Sequence, residues 1–278
     1  MKRILTIQDI SCVGKCSLTV ALPIISAMQL ECCVLPTAVL STHTAFKGFT
    51  FRDLTDDIKP IQEHWKKENI AFDSIYTGYL GSFRQLKLVE NLIKEFGTQT
   101  NKIIIDPVMA DNGKLYPGFT QDFAFSMAEL CSKADLILPN LTEACFMLGV
   151  PYPGEDYDEE FIKNLLIKLS GLGAKTVLIK GVSTKKDYLG IVSYNSKEKK
   201  FNSYFHQKLD AKFHGTGDIF ASCICGAITN GKSLEVAIKI AADFTVQSIC
   251  ATLKDKNSVW YGVNFEQALP QLIKEFCV

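Results

Sequence analysis

Short apolar runs rich in β-branched residues alternate with segments of helical periodicity along most of this 278-residue chain. The runs have the nearly continuous apolar character of strands covered on both faces, at 3–7, 32–39, 74–78, 102–108, 136–140 and 176–181. Helical periodicity occurs at 17–29, 53–68, 82–96, 120–131, 157–171, 217–229, 234–253 and 264–276. This alternation predicts βαβ units and a mainly parallel sheet.

The late part of the chain adds one different element. Residues 188–207 have the pattern of an antiparallel hairpin that closes around a charged tip, "KEKK", toward one edge of the sheet. No linker, internal repeat or low-complexity stretch interrupts the chain. We therefore predict one three-layer α/β/α domain over residues 1–278.

Charge and cysteine content narrow the function classes. Lysine plus arginine and aspartate plus glutamate are both 30, so the net charge is zero and nucleic acid or an anionic membrane is not expected as the main partner. No apolar run approaches the length of a signal or membrane segment, which predicts a cytoplasmic protein. The ten cysteines form no C-x-x-C pair and are predicted to be reduced thiols, with packing favoured over redox chemistry for Cys12 and Cys16.

Polar residues gather directly after the predicted strands. In open parallel sheets, ligands bind outside the carboxyl ends of the strands, so these positions predict a ligand site. They are Asp9, 41–44, 78–79, 106–111, 140–143 and 181–184.

The stretch "GAITNGKS" (226–233) matches the Walker A pattern, which binds phosphate when it follows a strand and opens a helix. Here the preceding residues carry a helical stripe, and "NG" is a helix stop followed by Ser233 as a helix N-cap. The context predicts helix, turn and helix instead of a P-loop. Lys232 is then a solvated cation.

The same helix begins with "HGTGD" (214–218), a second candidate for anion binding. Gly215, Thr216 and Gly217 can bring free N–H groups to an anion at the helix N-terminus. Asp218 has two interpretations on this segment alone. It is either a carboxylate that suits the helix dipole or a general base beside the anion site.

Several motifs in order favour the second interpretation. "HGTGD", "DPVMADNGKLY" (106–116) and "PNLTEA" (139–144) resemble the ribokinase-like superfamily of small-molecule kinases, and "ILTIQD", "LSTHTAF" and "TGYLGS" resemble its pyridoxal kinase branch. The resemblance covers residues 3 to about 250. It implies a ribokinase-like fold and transfer of the ATP γ-phosphoryl group to the 5′-hydroxymethyl of a B6 vitamer, with Asp218 as base and 215–217 as anion hole.

The resemblance also implies roles on the nucleotide side. Asp106 and Glu143 would hold Mg²⁺, largely through water, and the ATP contacts would come from Asp111, Asn140, Ser183 and Thr184. A turn, cap or helix-start interpretation remains open for Asp106, Glu143, Asp111, Ser183 and Thr184. A monovalent cation such as K⁺ is a further possible requirement.

On the acceptor side, the resemblance implies ring contacts from Asp9, Ser41, His43, Thr44 and Tyr79. His43 could instead bind a backbone carbonyl, and Tyr79 could be an ordinary core residue. Asp9 replaces the serine of the branch, where it could pair with a protonated ring or an aminomethyl group. The loop after "DPVM" lacks the cysteine found in a related group of pyridoxal and hydroxymethylpyrimidine kinases.

The resulting hypothesis is a pyridoxal kinase of vitamin B6 salvage, expected to be a homodimer. A hydroxymethylpyrimidine kinase of thiamine synthesis is the alternative enzyme, and a non-catalytic pyridoxal or nucleotide binder is the alternative from another class. The preferred vitamer is not determined by the sequence.

Overall fold

The structure, a computed structural model, describes residues 1–98 and 101–277. Its strands are β1 (Arg3–Val13), β2 (Glu31–Thr42), β3 (Phe51–Asp53), β4 (Ser74–Thr77), β5 (Lys102–Ile105), β6 (Ala110–Asp111), β7 (Lys114–Leu115), β8 (Leu136–Ile137), β9 (Thr176–Val182), β10 (Tyr188–Asn195) and β11 (Lys200–Gln207). Its helices are α1 (Leu18–Ala27), α2 (Thr55–Lys67), α3 (Phe83–Phe96), α4 (Gln121–Cys131), α5 (Leu141–Leu148), α6 (Glu159–Gly171), α7 (Thr216–Thr229), α8 (Leu234–Lys254) and α9 (Leu269–Lys274), with a 3₁₀ turn at Phe265–Gln267.

The chain forms two compact units. The first comprises Met1–Gly78, Phe96–Asn101 and Asp210–Val278. Its strands have the order β4-β1-β2-β3, with β1 parallel to both β2 and β4 and with β3 antiparallel to β2. The interior strands are buried on both faces, as the apolar runs predict, and α1 and α7 pack together in this unit.

The second unit comprises Tyr79–Glu95 and Lys102–Leu209. Its strands have the order β5-β8-β9-β10-β11, of which the first three are parallel and the last two are antiparallel. The predicted hairpin is β10–β11, and β11 is the edge strand of this unit. A separate two-stranded ribbon, β6–β7, follows β5. The α/β class with a mainly parallel sheet and an antiparallel hairpin is thus confirmed, while a single domain over 1–278 stays a prediction.

The sequence analysis missed α5 and misjudged the strand before it. The predicted strand 136–140 is only two residues long, because Pro139 lacks an N–H for a ladder and Asn140 already serves as the N-cap of α5. Helix α5 has only eight residues, so its periodicity is too short to recognise. The last predicted helix, 264–276, is shorter and is divided into a 3₁₀ turn and α9.

The "GAITNGKS" stretch is helix, turn and helix, as predicted. Helix α7 ends at Thr229, and Gly231 follows with φ 88°. The N–H of Gly231 donates to Ile228 O and that of Lys232 to Ala227 O, which is a Schellman motif. The hydroxyl of Ser233 then accepts from Val236 N as the N-cap of α8. The P-loop geometry is therefore absent from this segment.

Helix α8 has 21 residues and is long and apolar enough to cross a membrane by length and composition alone, which the sequence analysis did not recognise. Such helices also occur in the cores of soluble proteins, and α8 packs closely against α7. Its buried residues include Ala237, Ala241 and Phe244, which lie on one face at helical spacing.

Candidate active site

Asp9 lies at an irregularity in β1. The register between β1 and β2 shifts between Gln8 and Ile10, and such bulges redirect a side chain, often next to functional sites. The Asp9 side chain is 5% exposed and accepts from Ser17 Oγ at 2.6 Å and from Ser11 Oγ at 3.1 Å. Burial raises the pKa of Asp9 above its usual value, and the two hydroxyl hydrogen bonds partly offset this effect.

The loop between β1 and α1 connects Asp9 to Asp218. Ser17, the residue before α1, donates its hydroxyl to Asp9 Oδ1 and its backbone N–H to Asp218 Oδ2 at 3.0 Å. Ser17 has φ 51° and ψ −133°, a conformation that costs a non-glycine residue about 1–3 kcal/mol. One residue thus touches both carboxylates of the predicted acceptor site.

Close backbone approaches hold this loop in place. A Cβ added to Gly215 would clash with the carbonyl oxygen of Lys15, and Gly215 has φ 79°. A Cβ on Gly262 would clash with the Lys15 side chain, and one on Gly14 would lie 2.7 Å from His43 Cδ2. Glycine is required at these contacts because any side chain would displace the loop.

Lys15 also anchors the loop electrostatically. Its ammonium lies 2.8 Å from Glu266 Oε2 and 3.2 Å from Asn264 Oδ1. Asn264 is itself held by Thr252 and Asp255 through hydrogen bonds of 2.7 and 2.8 Å. The segment after α8 therefore supports the β1–α1 loop from outside.

The predicted anion motif begins α7. Gly215 is the N-cap, and Thr216, Gly217 and Asp218 form the first turn, where N–H groups have no partner within the helix. Asp218 is half-buried in this turn. The arrangement offers backbone donors and a carboxylate at the same helix end, which suits an anion beside a proton acceptor.

Cys16 lies in the same loop. Burial, followed by the charges of Asp218 and Asp9, raises the pKa of its thiol to about 12. The thiol therefore stays neutral near pH 7. This agrees with the predicted packing role and disfavours a nucleophilic one.

His43 is buried, and backbone groups bind both of its ring nitrogens. Nε2 lies 3.1 Å from Tyr261 O, and Nδ1 accepts from Ala45 N at 3.2 Å. Burial lowers the pKa of His43, so the ring is neutral near pH 7. In this conformation both ring nitrogens are engaged, and the predicted hydrogen bond to a ring hydroxyl would require these contacts to change.

An aromatic cluster surrounds His43 in the first unit. Phe46 and Trp260 have ring centroids 4.5 Å apart, and both rings lie within 5.9 Å of the His43 ring. Trp260 is 57% exposed. Tyr261 and His214 complete the cluster, which gives an apolar wall beside the start of α7.

The other predicted acceptor residues, Ser41, Thr44 and Tyr79, differ in setting. Ser41 Oγ accepts from Thr50 N at 2.8 Å and so closes the loop after β2, while Thr44 is exposed. Tyr79 belongs to the second unit, where its ring packs 5.7 Å from Phe119. Roles for these residues in substrate binding stay predictions.

In the second unit, Asp106 forms a buried ion pair. Asp106 is 0% exposed, and Lys180 Nζ lies 2.6 Å from each of its carboxylate oxygens. Burial raises the pKa of Asp106, and the Lys180 charge opposes that shift. The carboxylate is therefore already neutralised by a cation of the chain itself.

Glu143 and Asn140 form the capping box of α5. Asn140 Oδ1 accepts from Glu143 N, and Glu143 Oε2 accepts from Asn140 N at 2.7 Å. Glu143 Oε1 also accepts from Met109 N, and Asn140 Nδ2 donates to Ala110 O. Burial raises the pKa of Glu143 to about 8.

The remaining predicted nucleotide residues make local contacts. Asp111 accepts from the N–H and the side-chain amide of Asn112 at the β6–β7 turn. Ser183 donates its hydroxyl to Tyr188 O, and its N–H donates to Tyr157 Oη. Thr184 is half-buried. Their predicted roles toward ATP stay predictions.

The predicted magnesium site does not fit direct coordination in this conformation. Both Asp106 oxygens face an ammonium, and both Glu143 oxygens accept from backbone N–H groups. Within residues 1–98 and 101–277, no group of three or more His, Cys, Asp or Glu side chains could hold a metal. Magnesium binding by Asp106 and Glu143 stays a prediction.

Sequence reasoning missed several of the residues that build these clusters. Lys180 carries a signal, because a lysine inside the apolar strand "TVLIKG" requires a buried partner. Ser17 carries none, because nothing in the sequence indicates its positive φ. Trp260 and Tyr261 do carry a signal, because they are two adjacent aromatic residues after the last long helix.

Comparison with known proteins supports a shared fold and family. The sequence model of the phosphomethylpyrimidine kinase family matches residues 22–260. A hydroxymethylpyrimidine/phosphomethylpyrimidine kinase of Aquifex aeolicus is 30% identical over 200 residues, covering 72% of this chain and 73% of the relative.

Solved structures agree with this result. A Bacteroides thetaiotaomicron protein assigned as a phosphomethylpyrimidine kinase, in a crystal form with pyridoxal, is 40% identical, with a TM-score of 0.92 over 98% of this chain and 95% of that one. The pyridoxal kinase of Lactobacillus plantarum is 28% identical, with a TM-score of 0.91 over 99% and 98% of the two chains. The ribokinase-like fold is thus confirmed, and the chain belongs to the phosphomethylpyrimidine kinase family, which makes it a kinase.

Proposed function

We propose that the protein transfers the γ-phosphoryl group of ATP to the 5′-hydroxymethyl group of a B6 vitamer. The observation that carries this proposal is the Asp218 carboxylate at the first turn of α7, fixed by Ser17 N–H and adjacent to the amides of 215–217. A proton acceptor beside backbone donors suits attack by an alcohol on a phosphoryl group.

In the proposed reaction, Asp218 takes the proton of the hydroxymethyl group as its oxygen attacks the γ-phosphorus. The N–H groups of Gly215, Thr216 and Gly217 stabilise the negative charge on the transferred group. The bond from the γ-phosphorus to the bridging oxygen breaks, and ADP leaves with that oxygen. Each of these groups belongs to the first turn of α7 or its cap.

Ring recognition is proposed for the aromatic wall and for Asp9. His43, Phe46 and Trp260 present ring faces and edges, which suit a heteroaromatic acceptor. Asp9 would accept a hydrogen bond from a protonated ring nitrogen or from an amino substituent. Support for a B6 acceptor comes from the likeness to the Lactobacillus plantarum pyridoxal kinase and to the Bacteroides protein crystallised with pyridoxal.

A hydroxymethylpyrimidine kinase is a second candidate of equal standing. The family match and the Aquifex aeolicus relative favour it. Its acceptor also carries a hydroxymethyl group on a nitrogen heterocycle, so Asp218 and 215–217 would perform the same chemistry. The two candidates differ in the ring that Asp9 and the aromatic wall must recognise.

An activity panel over pyridoxal, pyridoxamine, pyridoxine and hydroxymethylpyrimidine separates the candidates. We expect the highest kcat/KM for a B6 vitamer. A much higher kcat/KM for hydroxymethylpyrimidine than for every vitamer would reject the first proposal in favour of the second. Binding of a vitamer without any turnover would instead support the non-catalytic binder.

Asp218→Asn tests the base directly. We expect kcat to fall by about a hundredfold or more, because the amide cannot accept the proton. Asp122→Asn is the matched control, since Asp122 is an exposed aspartate in the first turn of α4, where its charge suits the helix dipole. A loss of less than about tenfold for Asp218→Asn would show that Asp218 is not the base.

A further inference from the structure

The side chain of Ser17, the residue before α1, does not cap that helix. As the N-cap residue it makes no side-chain hydrogen bond to the first turn of α1, although serine is among the preferred capping residues. Its hydroxyl instead donates to the buried carboxylate of Asp9 at 2.6 Å. By contrast, Ser233 caps α8 in the ordinary way. The Ser17 hydroxyl is therefore used for something other than helix initiation.

The backbone of Ser17 is also unusual. Its φ of 51° lies in the region that favours glycine, yet the residue carries a side chain. This conformation directs the Ser17 N–H to Asp218 Oδ2 at 3.0 Å. The hydroxyl bond to Asp9 holds the residue in that conformation from the other side. A strained residue with both of its hydrogen-bond donors engaged by carboxylates indicates a functional constraint.

We propose that Ser17 is a positioning residue for the base: its hydroxyl, tied to Asp9, fixes the backbone N–H that orients the Asp218 carboxylate. This inference rests on the proposed role of Asp218. It gives Asp9 a second task besides ring recognition, because the Asp9 carboxylate is the anchor of the Ser17 hydroxyl. The close contact of Gly215 with the Lys15 carbonyl and the Lys15–Glu266 ion pair restrict the movement of the loop that carries Ser17.

The proposal predicts that loss of the Ser17 hydroxyl changes kcat but not KM. Misplacing a general base lowers the rate of the chemical step, while ATP and acceptor still bind. We expect Ser17→Ala to lower kcat about tenfold with both KM values within about twofold. Ser17→Gly accepts the positive φ and keeps the N–H but loses the hydroxyl, so we expect a similar fall in kcat without a loss of stability.

Variants of Asp9 test the anchor. Asp9→Ala removes the acceptor of the Ser17 hydroxyl and should also lower kcat about tenfold. Asp9→Asn keeps a carbonyl oxygen for that hydroxyl, so kcat should remain within about threefold while KM for the acceptor rises. In a double-mutant cycle, Ser17→Ala with Asp9→Ala should lower kcat by no more than about either single change, because both remove one hydrogen bond.

Three controls keep the outcomes distinct. Ser233→Ala removes a true helix cap and should lower the melting temperature without changing kcat. Lys199→Gly relaxes a positive φ of 54° in the exposed β10–β11 turn and shows what relief of strain alone does to stability. Asp218→Asn reports on the base itself.

The results can overturn the proposal in two ways. If Ser17→Ala and Ser17→Gly keep wild-type kcat while Asp218→Asn is inactive, the base is right and the positioning role is wrong. The same holds if the effects of Ser17→Ala and Asp9→Ala on kcat multiply in the double variant. If Asp218→Asn itself keeps its activity, the proposed function fails instead.

Discussion

Two carboxylate clusters differ in what holds their buried members, Asp9 in the first unit and Asp106 in the second. In the first unit, Asp9 and Asp218 accept hydrogen bonds from serine hydroxyls and a backbone N–H. In the second unit, Asp106 has Lys180 Nζ at 2.6 Å from both oxygens. Within the described ranges 1–98 and 101–277, no lysine or arginine forms an ion pair with Asp9.

This difference separates two uses of a buried acid. Neutral donors stabilise a carboxylate but leave its charge available to a ligand or a proton. An ammonium cancels that charge, so the pair serves stability until something displaces the cation. Asp9 is thus suited to accept a hydrogen bond from a ligand, whereas Asp106 resembles a structural ion pair in this conformation. The four variants below test this contrast.

Lys180→Met should have the largest effect. It leaves the Asp106 carboxylate buried without its counter-charge, and we expect the free energy of unfolding to fall by about 3–5 kcal/mol in urea denaturation at pH 8. Lys175→Met is the matched control, because the Lys175–Asp135 pair has the same 2.6 Å separation but Lys175 is 75% exposed. Its cost should stay below about 1 kcal/mol. Equal losses of unfolding free energy in the two variants would show that the buried Asp106–Lys180 pair contributes no more than an exposed pair.

Gly215→Ala should come next, and its effect should be on catalysis. The new Cβ would clash with the Lys15 carbonyl and push away the loop that carries Ser17, so we expect kcat to fall about a hundredfold. Gly231→Ala is the control at the other end of α7, where φ is 88° but nothing lies within 4 Å of an added Cβ. It should cost about 1 kcal/mol of stability and leave kcat intact. Equal kcat values for the two variants would show that the close contact of Gly215 with the Lys15 loop is not needed for catalysis.

Glu143→Gln should change the pH dependence of stability. Burial raises the pKa of Glu143 from 4.5 to about 8, so the folded state keeps a proton that the unfolded state releases in this window. The resulting stabilisation is complete below pH 4.5 and is lost as pH rises toward 8. The E143Q protein should lack this fall, so its stability relative to wild type should rise by about 1 kcal/mol or more between pH 5 and pH 8. If the stability of the wild-type and E143Q proteins changed with pH in parallel, the raised pKa of Glu143 would be contradicted.

Lys232→Ala should have the smallest effect. Lys232 belongs to neither carboxylate cluster, and its ammonium lies 5.7 Å from the centroid of the Phe276 ring. We expect unchanged turnover and a stability change within about 0.5 kcal/mol. A hundredfold loss of kcat would instead support phosphate binding by the "GAITNGKS" segment.

The sequence predicted the elements that are long and regular. Strands β1, β2 and β9 and helices α7 and α8 followed from apolar period and from caps such as Gly231 and Ser233. Short elements were missed, because the two residues of β8 and the eight residues of α5 are too few to show a recognisable hydrophobic periodicity. Motif order was enough to identify the superfamily and to select Asp218 as the candidate base.

The contacts between candidate residues could not be predicted. Ser17 binds Asp9 and also Asp218, which lies 201 residues after Ser17, and the second bond depends on a positive φ that serine rarely adopts. The ion pair of Asp106 with Lys180 likewise depends on how the end of β5 lies relative to β9 in the sheet. Such pairings are set by tertiary packing, which a single sequence does not reveal.

The turn between α7 and α8 shows how a nucleotide signature can arise without a nucleotide. Gly226 is small because a Cβ there would clash with Met28 Sδ, Gly231 provides the left-handed residue after α7, and Ser233 starts α8. Two closely packed helices joined by a four-residue turn thus place a glycine, a second glycine and a serine at Walker A spacing for three unrelated reasons. Pattern scans should therefore discount any match whose first glycine lies in the interior of a helix.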